Sequence, residues 1–265
     1  MGCRAREESP PIWEQVKLGD IAPVQGDQQS GIAALKTISF DIHAFEIPEE
    51  NLEELDNVWR TLAPEPLRYN NYRAFRANSF AVRFGQVQMW GQIRDALLAA
   101  GGHKVMTASL LLTGEQANDF AVTGLSSRRG IYYVAGDDMR HKVNIGPGAI
   151  ALRLRAEEVP GLRGLCELVV YPVFTLGGTS PIPQLQARAK SREFQFASAA
   201  FGLKMARGDL VVLGPKKYAN DESTLGGLVF FKPEGSLFFS EAERKPPKLK
   251  PALRVFVLVC TRITD

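Results

Sequence analysis

The chain has 265 residues, 45% of them hydrophobic and 23% charged, with a formal net charge of +3. This is ordinary globular composition with ample apolar material for a core, which excludes disorder over the whole length. Lys and Arg are scattered rather than gathered into a stripe, so nucleic acid is not an expected partner.

Residues 1–36 are polar and Pro-, Gly- and Gln-containing, with little periodicity. They read as a tail or linker with one short docking segment around Trp13–Leu18. The dipeptide Gly2-Cys3 admits two readings. Behind a longer apolar leader it fits a bacterial lipoprotein cleavage site, with Cys3 as the lipid anchor; without one, Cys3 is incidental to a loose end. Myristoylation is not expected, because Arg6 stands where Ser or Thr belongs. No run of about 18 apolar residues occurs, so no transmembrane helix is expected, while strand-built membrane passage stays open.

From Thr37 onward the pattern is largely that of strands, and residues 37–265 form one predicted β-rich domain. TISFDIHAFEI (Thr37–Ile47) alternates, with Ile38, Phe40, Ile42 and Ala44 on one face and Ser39, Asp41 and His43 on the other. Past Pro48, Leu52, Leu55, Val58 or Trp59 and Leu62 fall at helical spacing behind an acidic start. A second short helix is expected within Leu67–Asn78, then a strand over Phe80–Gln86. Trp90–Gly102 predicts a helix with Ile93, Leu97 and Leu98 as its apolar face and Gly101-Gly102 as C-cap. Strands follow over Lys104–Gly114 and Asn118–Leu125. A hairpin is expected from Gly130 to Ile145, turning near Gly136–Arg140. Further strands are predicted over Gly148–Val159, Leu165–Phe174, Arg192–Met205, Leu210–Pro215, Thr224–Phe231, Ser236–Phe239 and Arg254–Ile263. The fold class is therefore β-rich α+β, mostly antiparallel, with two or three short helices in the first half. The alternation suits a soluble sandwich as well as a subunit of an oligomeric β-barrel.

No catalytic constellation stands out, and the chain is expected not to be an enzyme. The three cysteines and three histidines show no CxxC or metal-ligand spacing, so neither metal nor cofactor is expected. Cys166 and Cys260 sit in apolar strand patterns and read as small buried hydrophobes; whether they pair is left open. Asp137-Asp138 reads as turn chemistry. The two TLGG stretches lack the Lys-Ser/Thr of a phosphate loop. KPPKLK (Lys245–Lys250) reads as a solvated connector, with a phosphate or lipid-headgroup contact as the alternative. Aromatics come in adjacent pairs at Tyr132 and Tyr133, Phe230 and Phe231, and Phe238 and Phe239. Neighbours on a strand face opposite ways, so these are either strands buried on both faces or contacts to lipid or a neighbouring subunit.

The order of these segments resembles the C-terminal domain of the secretin family, the multimeric outer-membrane channels of bacterial secretion and type IV pilus systems. The resemblance lies in ISFDIHAFEIPEENLEELDNVW as opening strand and acidic helix, and in IRDALLAAGGHKVMTASLLLTGEQAN as helix, small-residue turn and strand. FAVTGLSSRRGIYYVAGDDMRHKVNIG follows in the place of the gate hairpin, then GPGAIALRLRAEEV, ELVVYPVF and FQFASAAFGLKMARGDLVVLG, with RVFVLVCTRI closing the chain. STLGGLVFF replaces the family's usual Pro-Leu-Gly-Asp-Ile-Pro stretch. The resemblance implies a ring- or pore-forming homo-oligomer assembled by strand pairing at a bacterial outer membrane, in contact with lipid and other envelope proteins. Gly130, Gly136, Gly146 and Gly148 would flank a gate hairpin, as hinges or simply as turn formers. The alternative is a soluble or lipid-anchored envelope scaffold that keeps the fold, binds protein and forms no channel.

Overall fold

The computed structural model describes residues 36–64, 66–113, 116–176, 193–217, 221–238 and 248–264. Two antiparallel sheets face one another. The first has the order β3-β12-β14-β1-β4, made of Phe80–Gln86, Asp209–Pro215, Lys248–Thr264, Thr37–Pro48 and His103–Thr113. β13 (Phe231–Phe238) continues the β12 side of β14, pairing Phe231 with Leu253 where β12 pairs Leu213 with Phe256. The second sheet runs β2-β11-β9-β8-β5, made of Arg68–Tyr69, Phe201–Ala206, Leu165–Thr175, Gly148–Glu158 and Asn118–Leu125, with β10 (Phe194–Gln195) also on β9. β6 (Arg129–Val134) and β7 (Arg140–Ile145) form a separate hairpin. The fold is thus β-rich and antiparallel, and neither sheet closes into a barrel.

Strand alternation decides where each side chain goes. Ile38, Phe40, Ile42 and Ala44 of β1 join Phe256, Leu258 and Cys260 of β14 in the core between the sheets. Ile150, Leu152, Leu154, Leu168 and Val170 meet them from the second sheet. The opposite face of the first sheet presents Phe45, Ile47, Leu210, Val212, Val255 and Val257 to two helices, α1 (Leu55–Thr61) and α3 (Trp90–Ala99). Each fully buried Phe or Leu there contributes about 1.5–3 kcal/mol of apolar transfer. α3 buries Ile93 and Leu97 but leaves Leu98 52% exposed, so the predicted apolar face is one residue narrower than expected. Its end is as predicted: Gly102 N–H donates to Leu97 O at 2.9 Å and Gly101 takes φ +71°.

Two expected strands are corrected. Arg192–Met205 is broken into β10, a 3-10 turn at Ala197–Ala199 and β11, with Phe196 buried at the break. Leu225–Phe230 forms a helix, α4, capped by the Thr224 hydroxyl, which accepts from Gly227 N–H at 3.1 Å. Gly226 and Gly227 permit this packing, since a Cβ on either would stand 2.3 Å from Asn78 O or 2.0 Å from Asp221 O. The expected second short helix is α2 (Tyr72–Ala77), capped by Asn71.

Cys166 and Cys260 are both buried and face each other across the core, one on each sheet. Their thiols are hydrogen-bonded, which holds Cys166 below and Cys260 above the usual thiol range; both are free.

Candidate assembly edge and gate hairpin

The β6–β7 hairpin keeps regular register from Arg129↔Ile145 to Val134↔Arg140. Its tip is a compact turn: Ala135 N–H donates to Met139 O at 3.0 Å, and Asp138 takes φ +61°. The Asp137 carboxylate accepts from Met139 N–H at 3.0 Å and contacts His141 Nε2 at 2.8 Å. The Met139 amide first, and His141 after it, hold Asp137 below the usual carboxylate range. Asp137 therefore serves the turn, as the sequence suggested.

The hairpin is fastened to the body by Asn78, which is 6% exposed. Its amide nitrogen donates to Val134 O at 2.8 Å, and its amide oxygen accepts from Val134 N–H at 2.8 Å. One side chain thus satisfies both polar groups of a strand residue, as a neighbouring strand would. The same nitrogen donates to Ala74 O at 2.8 Å, and the Ser198 hydroxyl donates to Val134 O at 2.7 Å. Tyr132 N–H donates to Ser223 O at 2.6 Å, and Ile131 and Ile145 are buried under the hairpin.

The four glycines differ in what they do. Gly136 lies in the turn with open space around it, and Gly130 faces the flexible Lys142 side chain. Gly146 takes φ +103°, and a Cβ there would stand 2.4 Å from Ser127 O. Gly148 lets β8 start against β9, since a Cβ would meet Thr175 O at 2.3 Å. Gly146→Ala is expected to cost about 1–3 kcal/mol through backbone strain. Gly136→Ala, in open space, is expected to be near neutral. Thermal melts of the two variants side by side check this; equal melting temperatures would contradict it.

The aromatic pairs are not outward-facing as a set. Phe230 and Phe231 are 1% and 4% exposed at the junction of α4 and β13. The expectation of a lipid- or subunit-facing member fails there because the chain turns from helix to strand between them. Tyr133 is half-buried against Phe194 and Phe196, with centroids 5.6 and 5.2 Å away. Tyr132 lies under the Arg140 guanidinium at 4.3 Å, and Phe238 packs edge-on to His103 at 4.9 Å. Phe239 and Cys3 lie outside the described residues. Among the histidines, His43 stacks on Trp90 at 5.4 Å and His141 serves the turn.

The strand edges left unpaired among the described residues are the site's other part. β4 is eleven residues long and, among the described residues, pairs with β1 alone, with Leu111 O also accepting from the Asn118 side chain at 2.7 Å. Its basic residues, His103 and Lys104, and its bulge at Val105, opposite Ala44-Phe45, all lie at its start. Beyond them MTASLLLT carries no charge, and Val105, Met106 and Leu111 are 42%, 42% and 55% exposed. A long, flat, apolar edge is a template for another strand. β5 ends the second sheet in the same way, over eight residues.

One buried ionic cluster was not foreseen. Glu46 is 3% exposed on β1 and lies 3.3 Å from both Lys232 Nζ and Arg254 Nε. The Ser236 hydroxyl also donates to it. Burial pushes the Glu46 pKa up, but Ser236, then Lys232 and Arg254, outweigh it and leave the carboxyl below its ordinary value. Arg254 reaches on to the second sheet, donating to Val122 O at 2.8 Å. Val122 is the extra residue of the β5 bulge, so its carbonyl is outside the ladder and open to this contact. Only the spacing of Glu46 and Arg254, opposite each other in strands that both look apolar, carried any signal of this.

The fold and these features define a β-rich, two-sheet domain with a latched hairpin and sheet edges that are unpaired among the described residues. Comparison with protein-family models, curated proteins and solved structures finds no match to this chain.

Proposed function

We propose that this chain is a structural, ring- or pore-forming subunit that assembles with copies of itself by strand pairing, in the manner of the secretin channel domain it resembles, at a bacterial outer membrane. The observation that supports the reading is the β4 edge, which no other strand of the described residues pairs, uncharged from Met106 to Thr113 and exposing Met106 and Leu111. The opposite end of the same sheet, β3, is a different surface, where Phe84 already exchanges both backbone hydrogen bonds with Ala63 at 2.8 and 2.9 Å. Joining unlike edges head to tail generates rings when the rotation closes. In this reading the β6–β7 hairpin is the gate and Asn78 its latch.

A second reading, an envelope scaffold without a channel, draws support from the outer face of the second sheet. That face carries charge instead of an apolar belt. Arg153 holds Asp119 at 2.6 Å and Glu193 at 2.8 Å, and Arg155, Glu157 and Lys204 are exposed nearby. Edge pairing is tested by Met106→Lys with Leu111→Lys. The double variant is expected to keep the circular dichroism of the parent and lower its associated fraction by about tenfold or more, since inserted charge blocks edge pairing. Unchanged association by light scattering would count against β4 as the contact.

A further inference from the structure

At the β3 end of the first sheet, away from β4, lies an open cleft of about 260 Å3. Its walls are aromatic. Tyr69 packs edge-on to Tyr72 and tilted against Phe75, both with centroids 4.9 Å apart, and Trp59 stands across from them on α1. Its lining is cationic, with Arg76, Arg83 and Lys216 against a single carboxylate among the described residues, Asp56. Among the described residues, none of the three cations makes an ion pair. Arg76 donates only to the Tyr72 hydroxyl, at 2.7 Å, and Arg83 only to the Val82 carbonyl, at 3.1 Å.

Charged side chains that converge on one concave surface without acidic partners suit an anion, and guanidinium groups suit carboxylate or phosphate oxygens in particular. The exposed Tyr72, which Arg76 overlies at 5.4 Å, and the half-buried Tyr69 and Trp59 beside them suit a planar ring. The Tyr69 phenol, raised above its ordinary pKa by burial, stays protonated and able to donate. The volume lies below the roughly 300–1,000 Å3 of drug-sized sites, which limits the occupant to about one ring and one anionic group.

We propose that this cleft binds a small aromatic anion, its ring against Tyr69, Tyr72 and Trp59 and its carboxylate or phosphate between Arg83, Lys216 and Arg76. The cleft is lined by β3, which a head-to-tail neighbour would also meet, so the titration that tests it is repeated on the Met106→Lys, Leu111→Lys double variant, where failure of the cleft and failure of the assembly reading are distinguishable.

The test is calorimetric titration of the full chain with benzoate and with phenyl phosphate, using inorganic phosphate and benzyl alcohol as controls that keep only the charge or only the ring. Saturable binding of benzoate assigns a carboxylate ligand, and of phenyl phosphate a phosphate ligand; either supports the site. Arg83→Met and Lys216→Met, judged folded by their melts, are expected to weaken that binding by about tenfold each, the loss of one charge-assisted hydrogen-bonding partner. Both controls are expected to bind at least as weakly as the variants bind the probe. Failure of both probes to saturate at ~10 mM, a concentration above the ~1 mM dissociation constant that corresponds to about −4 kcal/mol, would overturn the proposal. Equal binding by folded Arg83→Met and Lys216→Met would overturn it as well.

Discussion

Glu46→Ala is expected to destabilise the domain by about 3 kcal/mol, because removing one partner of a buried ion pair strands the others. Lys232 and Arg254, with side chains 28% and 18% exposed, would lose their common carboxylate, and the Ser236 hydroxyl its acceptor. For a domain of this size that is a fall in melting temperature of roughly 6–12 °C. Glu46→Gln keeps an acceptor for Ser236 and is expected to fall between. The effect also has a pH signature. The folded carboxyl titrates below its ordinary value of 4.5, so its contribution is fully present above that pH and is lost as the pH falls through the lower, folded value. The stability gap between parent and Glu46→Gln should therefore be widest near neutral pH and shrink below about 4.5, the ordinary Glu value. Denaturant titrations at pH 7 and pH 3.5 measure this; a gap that widens on acidification would contradict the electrostatic account.

Asn78→Ala is expected to free the β6–β7 hairpin while leaving the two-sheet core closed. The substitution removes hydrogen bonds to both polar groups of Val134 and to Ala74 O. Buried polar groups left without partners cost about 1–3 kcal/mol each. Ser198 still donates to Val134 O, so the Val134 N–H bears the main loss. Amide exchange across Ile131–Val134 should accelerate by about tenfold or more, a factor equal to about 1.4 kcal/mol of lost local stability. Exchange across the β14 centre, Val255–Leu258, should stay slow. Asn78→Asp is a sharper probe. Its acceptor oxygen can still take Val134 N–H, but its second oxygen would face two carbonyls. It should match or exceed Asn78→Ala at neutral pH. Uniform acceleration across β14 and the hairpin would mean that Asn78 serves the core and is no latch.

The elements were largely legible in the sequence because a single physical signal, alternation, governs most of them. β1, β3, β5, β8 and β9 fall where period-2 patterning puts them, since each buries one face in the core between the sheets. Two of the failures share a cause. In LGGLVF, residues buried on every side erase periodicity, and only the Thr224 cap marks the helix. The same complete burial hides the fate of Phe230 and Phe231, which do not alternate because one ends a helix and the other starts a strand. The Arg192–Met205 break did leave a trace: Phe194 and Phe196 share one parity while Phe201, Leu203 and Met205 take the other, and the Ala197–Ala199 turn makes that shift. Of the candidate site, the hairpin and its Asp137 turn were local and readable. The Asn78 latch, the Glu46 cluster and the Tyr69–Arg83 cleft join residues far apart in the chain. Pairing partners 56 or 208 positions apart, as in Asn78–Val134 and Glu46–Arg254, leave no local pattern.

The central claim is self-assembly through strand edges. It is tested most directly by the native mass of the protein, measured by light scattering on aqueous and detergent-extracted material, with negative-stain images of the same fractions. Closed rings of many copies, lost in the Met106→Lys, Leu111→Lys double variant, are the predicted result. A clean monomer in both fractions would contradict it and leave the scaffold reading in its place.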